Sequence, residues 1–345
     1  MTTYWRVDTH GDPLGVLRDL LKTIWVTADL DGLFVPANGV STKGHPAHLL
    51  EDSRLLEYIN PFRPLMTANI ARQVPELLRE RPAAYLGAML RPCEMRAIKE
   101  IAQRGAIDRA RLLTISVDCL GTYPSEDFQW LARRKGSPEL LTAEALRFAR
   151  LGGIVTYRYR SACQMCTSPE ACQADVNIAV LGLPVRQCLL ITAKDDLVSE
   201  KIRLSDLADG HPAQDLVDNR ARLLVRLCDR NQSTRERIIQ SLADILPTDL
   251  DLLIQQFESC GDCQNCLDSC PICVVDYPQR EGNGRYLRAD IQRWLLSCAG
   301  CGMCEQACPN HLPLSAIFRH IKQELQALQL SSPRSPTGGT LPLVN

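Results

Sequence analysis

Ala83–Val117 reads AAYLGAMLRPCEMRAIKEIAQRGAIDRARLLTISV. Two apolar runs, Ala83–Leu90 and Leu112–Val117, flank Glu94–Gly105, whose apolar residues recur at helical spacing and which ends on glycine. Such runs read as strands and the middle segment as a helix. Strand, helix and strand joined in this way make a βαβ unit with parallel strands. Outward from it, short apolar runs alternate with helical patterns from about residue 20 to 240, as in an α/β domain. Ile154–Tyr159, Asn177–Leu183 and Gln187–Thr192 are further strand candidates. The second is a near-continuous apolar run, as expected of a strand covered on both faces.

The character changes after Leu216. Leu216–Leu246 carries helical periodicity, Pro247 and Asp249 open another helix through Phe257, and Tyr286–Leu296 and Leu314–Leu328 read as amphipathic helices. Ser331–Asn345 (SSPRSPTGGTLPLVN) has the Ser, Pro and Gly content of a flexible tail. The expected organisation is a mixed open-sheet α/β domain over 1–245, a mostly helical domain over 246–328 and a tail over 329–345.

The 345 residues suffice for two such domains, and 45% hydrophobic with 23% charged residues is globular composition. A net charge of -1 provides no global basic field for nucleic acid. Met1–Asp12 has neither a basic start nor an apolar run, and no stretch approaches the ~20 apolar residues that span a bilayer. A cytoplasmic chain is therefore expected, with its thiols reduced and available to metals.

Sixteen cysteines are too many for an ordinary enzyme of that compartment, and nine of them lie between Cys260 and Cys308. Cys260, Cys263, Cys266 and Cys270 follow C-x2-C-x2-C-x3-C with Pro271 next; Cys298, Cys301, Cys304 and Cys308 repeat the spacing with Pro309 next. This is the bacterial two-cluster pattern, in which the fourth cysteine of each run serves the other cluster. The expected sets are Cys260, Cys263, Cys266 with Cys308, and Cys298, Cys301, Cys304 with Cys270. Zinc held by four cysteines is the alternative occupant, but two complete copies with the proline favour 4Fe-4S clusters. The long helical spacer between the runs favours a helical ferredoxin-like domain. Cys273 fits neither set and reads as a buried bystander, with a shielding or alternative-ligand role left open.

A second constellation lies in the α/β part. Cys93 follows one strand of the βαβ unit and Cys119 follows the other, and open α/β sheets form sites outside the carboxyl ends of their strands. Cys163 and Cys166 form a C-x2-C pair after Ile154–Tyr159. Two single thiols and one close pair would complete a third tetrathiolate site. Cys172 is a rival fourth ligand, and a dithiol redox pair at Cys163 and Cys166 is a further alternative. Cys188 and Cys228 sit in apolar and helical patterns and read as core.

Arg91–Ala97 (RPCEMRA), Asp118–Tyr123 (DCLGTY), and Ala162–Cys166 (ACQMC) followed by Ala174–Val176 (ADV) resemble three signatures of a known family. That family is the beta subunit of the deazaflavin-coenzyme hydrogenases and dehydrogenases, in particular its formate dehydrogenase branch. With the tandem cysteine runs, the resemblance covers about residues 20 to 325. It implies an FAD and a 4Fe-4S cluster in the α/β domain, two further clusters in the ferredoxin-like domain, a catalytic dehydrogenase or hydrogenase partner with other electron-transfer subunits, and a soluble carrier.

No GxGxxG fingerprint marks a dinucleotide fold of that type. The polar loop Asn38-Gly39-Val40-Ser41-Thr42-Lys43-Gly44 supplies Asn38, Lys43 and Gly44 as candidate flavin contacts, although a plain surface turn has the same composition. Arg91 and Arg96 flank the third thiol group and are candidates to offset its charge. The histidines offer no ligand pair and the carboxylates no hydrolytic arrangement. The leading expectation is an iron–sulfur flavoprotein electron-transfer subunit. A flavin-free adaptor and an independent flavin-dependent reductase are the alternatives.

Overall fold

The computed structural model describes residues 3–36, 47–152, 158–260, 263–282 and 284–331. Seven strands, β1 (Trp5–Asp8), β2 (Gly32–Pro36), β3 (Ala47–Leu50), β4 (Leu86–Leu90), β5 (Leu112–Val117), β6 (Val176–Ala179) and β7 (Cys188–Ala193), form one sheet in the order β1-β7-β6-β5-β4-β2-β3. The central pairs β2·β4, β4·β5 and β5·β6 are parallel, whereas β1·β7, β6·β7 and β2·β3 are antiparallel. The sheet is thus mixed, with parallel strands at its centre. Every residue of β4, β5 and β6 is buried, as parallel strands covered on both faces require.

In chain order the helices are α1 (Pro13–Thr27), α2 (Val74–Glu80), α3 (Pro92–Gln103), α4 (Ser125–Lys135), α5 (Pro138–Ala149), α6 (Ser161–Gln164), α7 (Asp196–Lys201), α8 (Leu204–Leu207), α9 (Gln214–Ser241), α10 (Leu250–Ser259), α11 (Asn265–Asp268), α12 (Arg288–Ser297), α13 (Met303–Ala307) and α14 (Leu314–Ser331). One apolar core joins α1, α5 and the strands. A second, under α3, takes in Ile272 and Ala299 from the cysteine-rich segment. A third, running from Leu246 to Leu325, gathers α10, α12 and α14 around Trp294 and Phe318.

The βαβ unit forms where its pattern indicates. Helix α3 starts two residues earlier than expected because Pro92 suits the first helical position, and Glu94 accepts from the Arg91 backbone N–H at 2.7 Å. It stops at Gly105 (φ +69°), where Gly105 N and Ala106 N bond back to Ala102 O and Ile101 O. Other elements differ from the sequence reading. The sheet begins at Trp5, well before residue 20. The apolar run Asn177–Leu183 leaves the sheet after Ala179, because Val180 N and Leu181 N donate to the Asp118 carboxylate instead. Of Ile154–Tyr159, residues 154–157 lie outside the described residues, and β6 is the strand that pairs with β5. Helix α9 ends at Ser241, short of Leu246, and α14 continues to Ser331, past the expected start of the tail at 329.

Asp118 closes the carboxyl end of β5. Its Oδ2 accepts from Arg220 Nη1 of α9 at 2.7 Å and its Oδ1 from Ala171 N at 2.8 Å; both charged side chains are essentially inaccessible. Arg220 also donates to Leu181 O at 2.5 Å and to Glu170 at 3.1 Å. Removing one member of such a pair leaves a buried charge without its partner. Arg220→Met is therefore expected to destabilise the chain by about 3–5 kcal/mol, seen as a lower denaturant midpoint. Arg220→Lys, which retains the charge but not the planar fork, should fall between that variant and wild type.

Candidate metal centres

The parallel strands deliver their thiols to one edge. Cys93 sits in the first turn of α3 just after β4, and Cys119 follows Asp118 at the end of β5. Cys163 and Cys166 lie in and just after α6, and Cys119 N is tied to Pro169 O at 2.8 Å. All four line one cavity of ≈ 260 Å³, together with Arg160, Gly121, Asn231 and Cys301. Asn231 of α9 holds the pair in place by donating to Cys166 O at 2.7 Å. Cys172, the rival ligand, is exposed and lines a different, smaller cavity beside Glu170. Cys188 is buried in β7, and the Cys228 thiol donates to Thr167 O at 3.2 Å.

The tandem runs also converge crosswise. Cys260, Cys263, Cys266 and Cys308 line one largely apolar cavity of ≈ 60 Å³ with Phe257, Tyr286 and Ile317. Cys298, Cys301 and Cys304 each feel the Cys270 thiol. Among the described residues, no three His, Cys, Asp or Glu side chains form a group that could hold a metal ion; the thiols line openings and do not close on a point.

Burial and mutual repulsion act on these sulfurs together. Burial, then the Cys163 thiol, pushes Cys119 up to about 12, and burial followed by Glu94 pushes Cys93 well up. For Cys163 burial acts in the same sense, but Arg160 and the Thr122 hydroxyl outweigh it and hold the thiol below its usual value. Burial, then Cys270, raises Cys301 to about 11, and burial, then Cys260, raises Cys266 to about 12. A cationic metal core would relieve what these thiols impose on one another. Cys270 is likewise lowered, drawn down to about 6 by a hydrogen bond from the Cys273 thiol and, against burial, by the Trp294 indole N–H 3.3 Å from its Sγ. Cys273 is thus buried against one of the expected ligands.

The surroundings suit an anionic cluster: cysteine groups of cluster-ligand number, the first turn of α3 at Cys93 and cationic side chains near the sulfurs. Arg96 reaches across to Ala299 O at 3.0 Å and Ser168 O at 3.1 Å. Arg91, by contrast, turns to Arg63 O and Leu65 O. The candidate flavin contacts Asn38, Lys43 and Gly44 lie outside the described residues. Beside the thiols, α9 contributes Arg230, Thr234 and Arg237 to the same cavity wall, and arginine and threonine side chains suit phosphate oxygens. Asp175, from the third signature, serves the sheet: it accepts from Thr114 N at 2.8 Å and Arg109 at 3.0 Å.

The 4Fe-4S dicluster domain family matches residues 258–312. The F420-dependent formate dehydrogenase subunit beta of Methanocaldococcus jannaschii is 19% identical over 355 residues, spanning 90% of this chain and 89% of that protein. A chain of the F420-reducing NiFe hydrogenase complex from Methanosarcina barkeri superposes with a TM-score of 0.50 at 14% identity, covering 69% of this chain and 91% of that one. The dicluster match assigns an iron–sulfur domain to residues 258–312, and both relatives are subunits or chains of oxidoreductases by name. The resemblance carried by the motifs, to the beta subunits of the deazaflavin-coenzyme hydrogenases and dehydrogenases, holds over nine-tenths of the chain.

Two glycines make the close packing possible. Gly121 (φ +88°) carries the Tyr159 ring where a Cβ would stand, at 2.6 Å. At Gly302 (φ +70°) a Cβ would meet the Ala162 Cβ at 2.4 Å, so the Cys298–Cys304 loop presses directly on the Cys163 helix. Gly302→Val is expected to cost about 1–3 kcal/mol from backbone strain alone, and more from the clash. Gly284→Val provides the control, because Gly284 (φ +83°) faces open space. If the close approach matters, only Gly302→Val will speed labelling of Cys301 by a thiol reagent in the metal-free chain.

Proposed function

We propose that this chain is the iron–sulfur flavoprotein subunit of a formate dehydrogenase-like or hydrogenase-like complex. It would carry electrons between a catalytic partner and a soluble acceptor in the cytoplasm. The observation that supports this best is the adjacency of three cysteine groups. Cys266, Cys270, Cys304 and Cys308 pack on one apolar core, and Cys301 packs with Cys93 and Met66 in another. The proposed ligand sets, Cys260, Cys263, Cys266 with Cys308, then Cys298, Cys301, Cys304 with Cys270, then Cys93, Cys119, Cys163 with Cys166, would thus hold three clusters in sequence. Apolar side chains between them exclude water and lower the local dielectric.

A flavin bound beside the third set would exchange single electrons with clusters and pairs, as hydride, with a carrier. Arg230, Thr234 and Arg237 are the described residues suited to its phosphates. Among the described residues no helix is long and apolar enough to cross a membrane, so the catalytic partner and the carrier would both meet the chain through protein surfaces. Both curated and structural relatives are parts of redox complexes by name, which supports the need for partner subunits.

Anaerobic reconstitution of the full chain is expected to give about twelve iron per chain, four for each of three clusters, with one extractable FAD. Cys119→Ser should lose about four of those iron atoms, and Cys172→Ser none. A colourless protein that binds zinc would overturn the reading. Iron without FAD would turn it into an adaptor, and turnover by the isolated chain into an independent reductase.

A further inference from the structure

Arg160 lies between the Cys163 helix and the Cys298–Cys304 loop and is 7% exposed. Its Nε donates to Thr122 Oγ1 at 2.9 Å, Nη1 to Met303 Sδ at 3.1 Å and Gln306 Oε1 at 3.2 Å, and Nη2 to Met66 Sδ at 3.2 Å and Cys163 Sγ at 3.8 Å. Every one of these partners is a neutral group or a thiol. Among the described residues no carboxylate forms an ion pair with Arg160. Glu94, the carboxylate whose field it does feel, is occupied by Arg91 N, Ile70 N and the Arg91 guanidinium. A buried guanidinium without a counter-charge is costly, and thioethers are weak acceptors. The side chains that act on this cation most strongly are thiols from two sites: Cys163, which it contacts, and Cys93 on one side, and Cys301 on the other.

We propose that Arg160 is a charge bridge between the third thiol site and the Cys298–Cys304 site, and that it sets the reduction potentials of the clusters on both sides. The proposal rests on the cluster reading above. Reduction adds negative charge to a cluster, so a fixed cation at its edge favours the reduced form and raises its potential. The effect is strengthened because Arg160 is buried. It is selective because the cavity lined by Cys260, Cys263, Cys266 and Cys308 contains no part of Arg160.

The test is a reductive titration followed by electron paramagnetic resonance on the reconstituted full chain. Each signal is assigned by its loss in Cys119→Ser, Cys304→Ser or Cys260→Ser. Arg160→Met should lower the potentials of the third and Cys298–Cys304 clusters by about 59 mV or more, a tenfold change in a one-electron equilibrium. The Cys260 cluster should not move, and Arg160→Lys should keep both affected potentials close to wild type. Unmoved potentials in Arg160→Met, or an equal shift of all three, overturn the charge bridge. Should Arg160→Met fail to assemble its clusters, Arg160→Lys decides: unchanged potentials support the bridge and lowered ones overturn it. A zinc-binding chain refutes the functional reading itself; three clusters indifferent to Arg160 refute only this inference.

Discussion

A single carboxylate, Asp118, organises the edge of the sheet where the thiols gather. Its two oxygens collect backbone N–H groups from Ala171, Val180 and Leu181 and the guanidinium of Arg220. Those groups belong to the segment after the Cys163–Cys166 pair, the exit of β6 and the long helix α9. Cys119 is the next residue along the chain, so its position follows from how Asp118 is held. The interaction is strong because both side chains are buried and every Asp118 oxygen is hydrogen-bonded, which is the condition under which a buried ion pair supports a structure. With α9 pinned there, Asn231 and Leu227 come to line the cavity that the four cysteines share.

Much of this was legible in the sequence, and the part that was not has definite physical reasons. The βαβ unit could be read because β4 and β5 are covered on both faces, which writes an unbroken apolar run. Edge strands β1 and β3 are four residues each, too short to show a pattern. The crossed grouping of the tandem cysteines follows from their spacing. That Cys172 lines a different cavity does not, since it follows only from the path of the chain between Pro169 and β6. Arg160 and Arg220 escaped because an arginine in a polar helix or turn reads as solvated. A faint signal existed: Arg220, Leu227 and Asn231 recur on one stripe of α9, and they are the residues of that helix that are buried. Two polar groups on an inward stripe mark a face turned toward charge.

Packing runs across the expected boundary near residue 245. Ile272 and Ala299 enter the core under α3, Arg104 reaches Asp276 at 3.0 Å, and Arg319 of α14 donates to Met165 O at 3.0 Å. These contacts hold one cysteine run against the other constellation. For electron transfer a fixed separation is the property that matters, and packed side chains provide it better than a linker does.

The neutral and sulfur partners of Arg160 also bear on how the protein comes into being. Thiols that make one another harder to deprotonate, and a guanidinium that forms no ion pair among the described residues, leave the metal-free fold electrostatically incomplete. Four cysteines drawn from three separate stretches of chain would be tied together by one cofactor, which restricts the unfolded ensemble as a staple does. Under that ligation, maturation and folding would be a single process, and stability would belong to the loaded form.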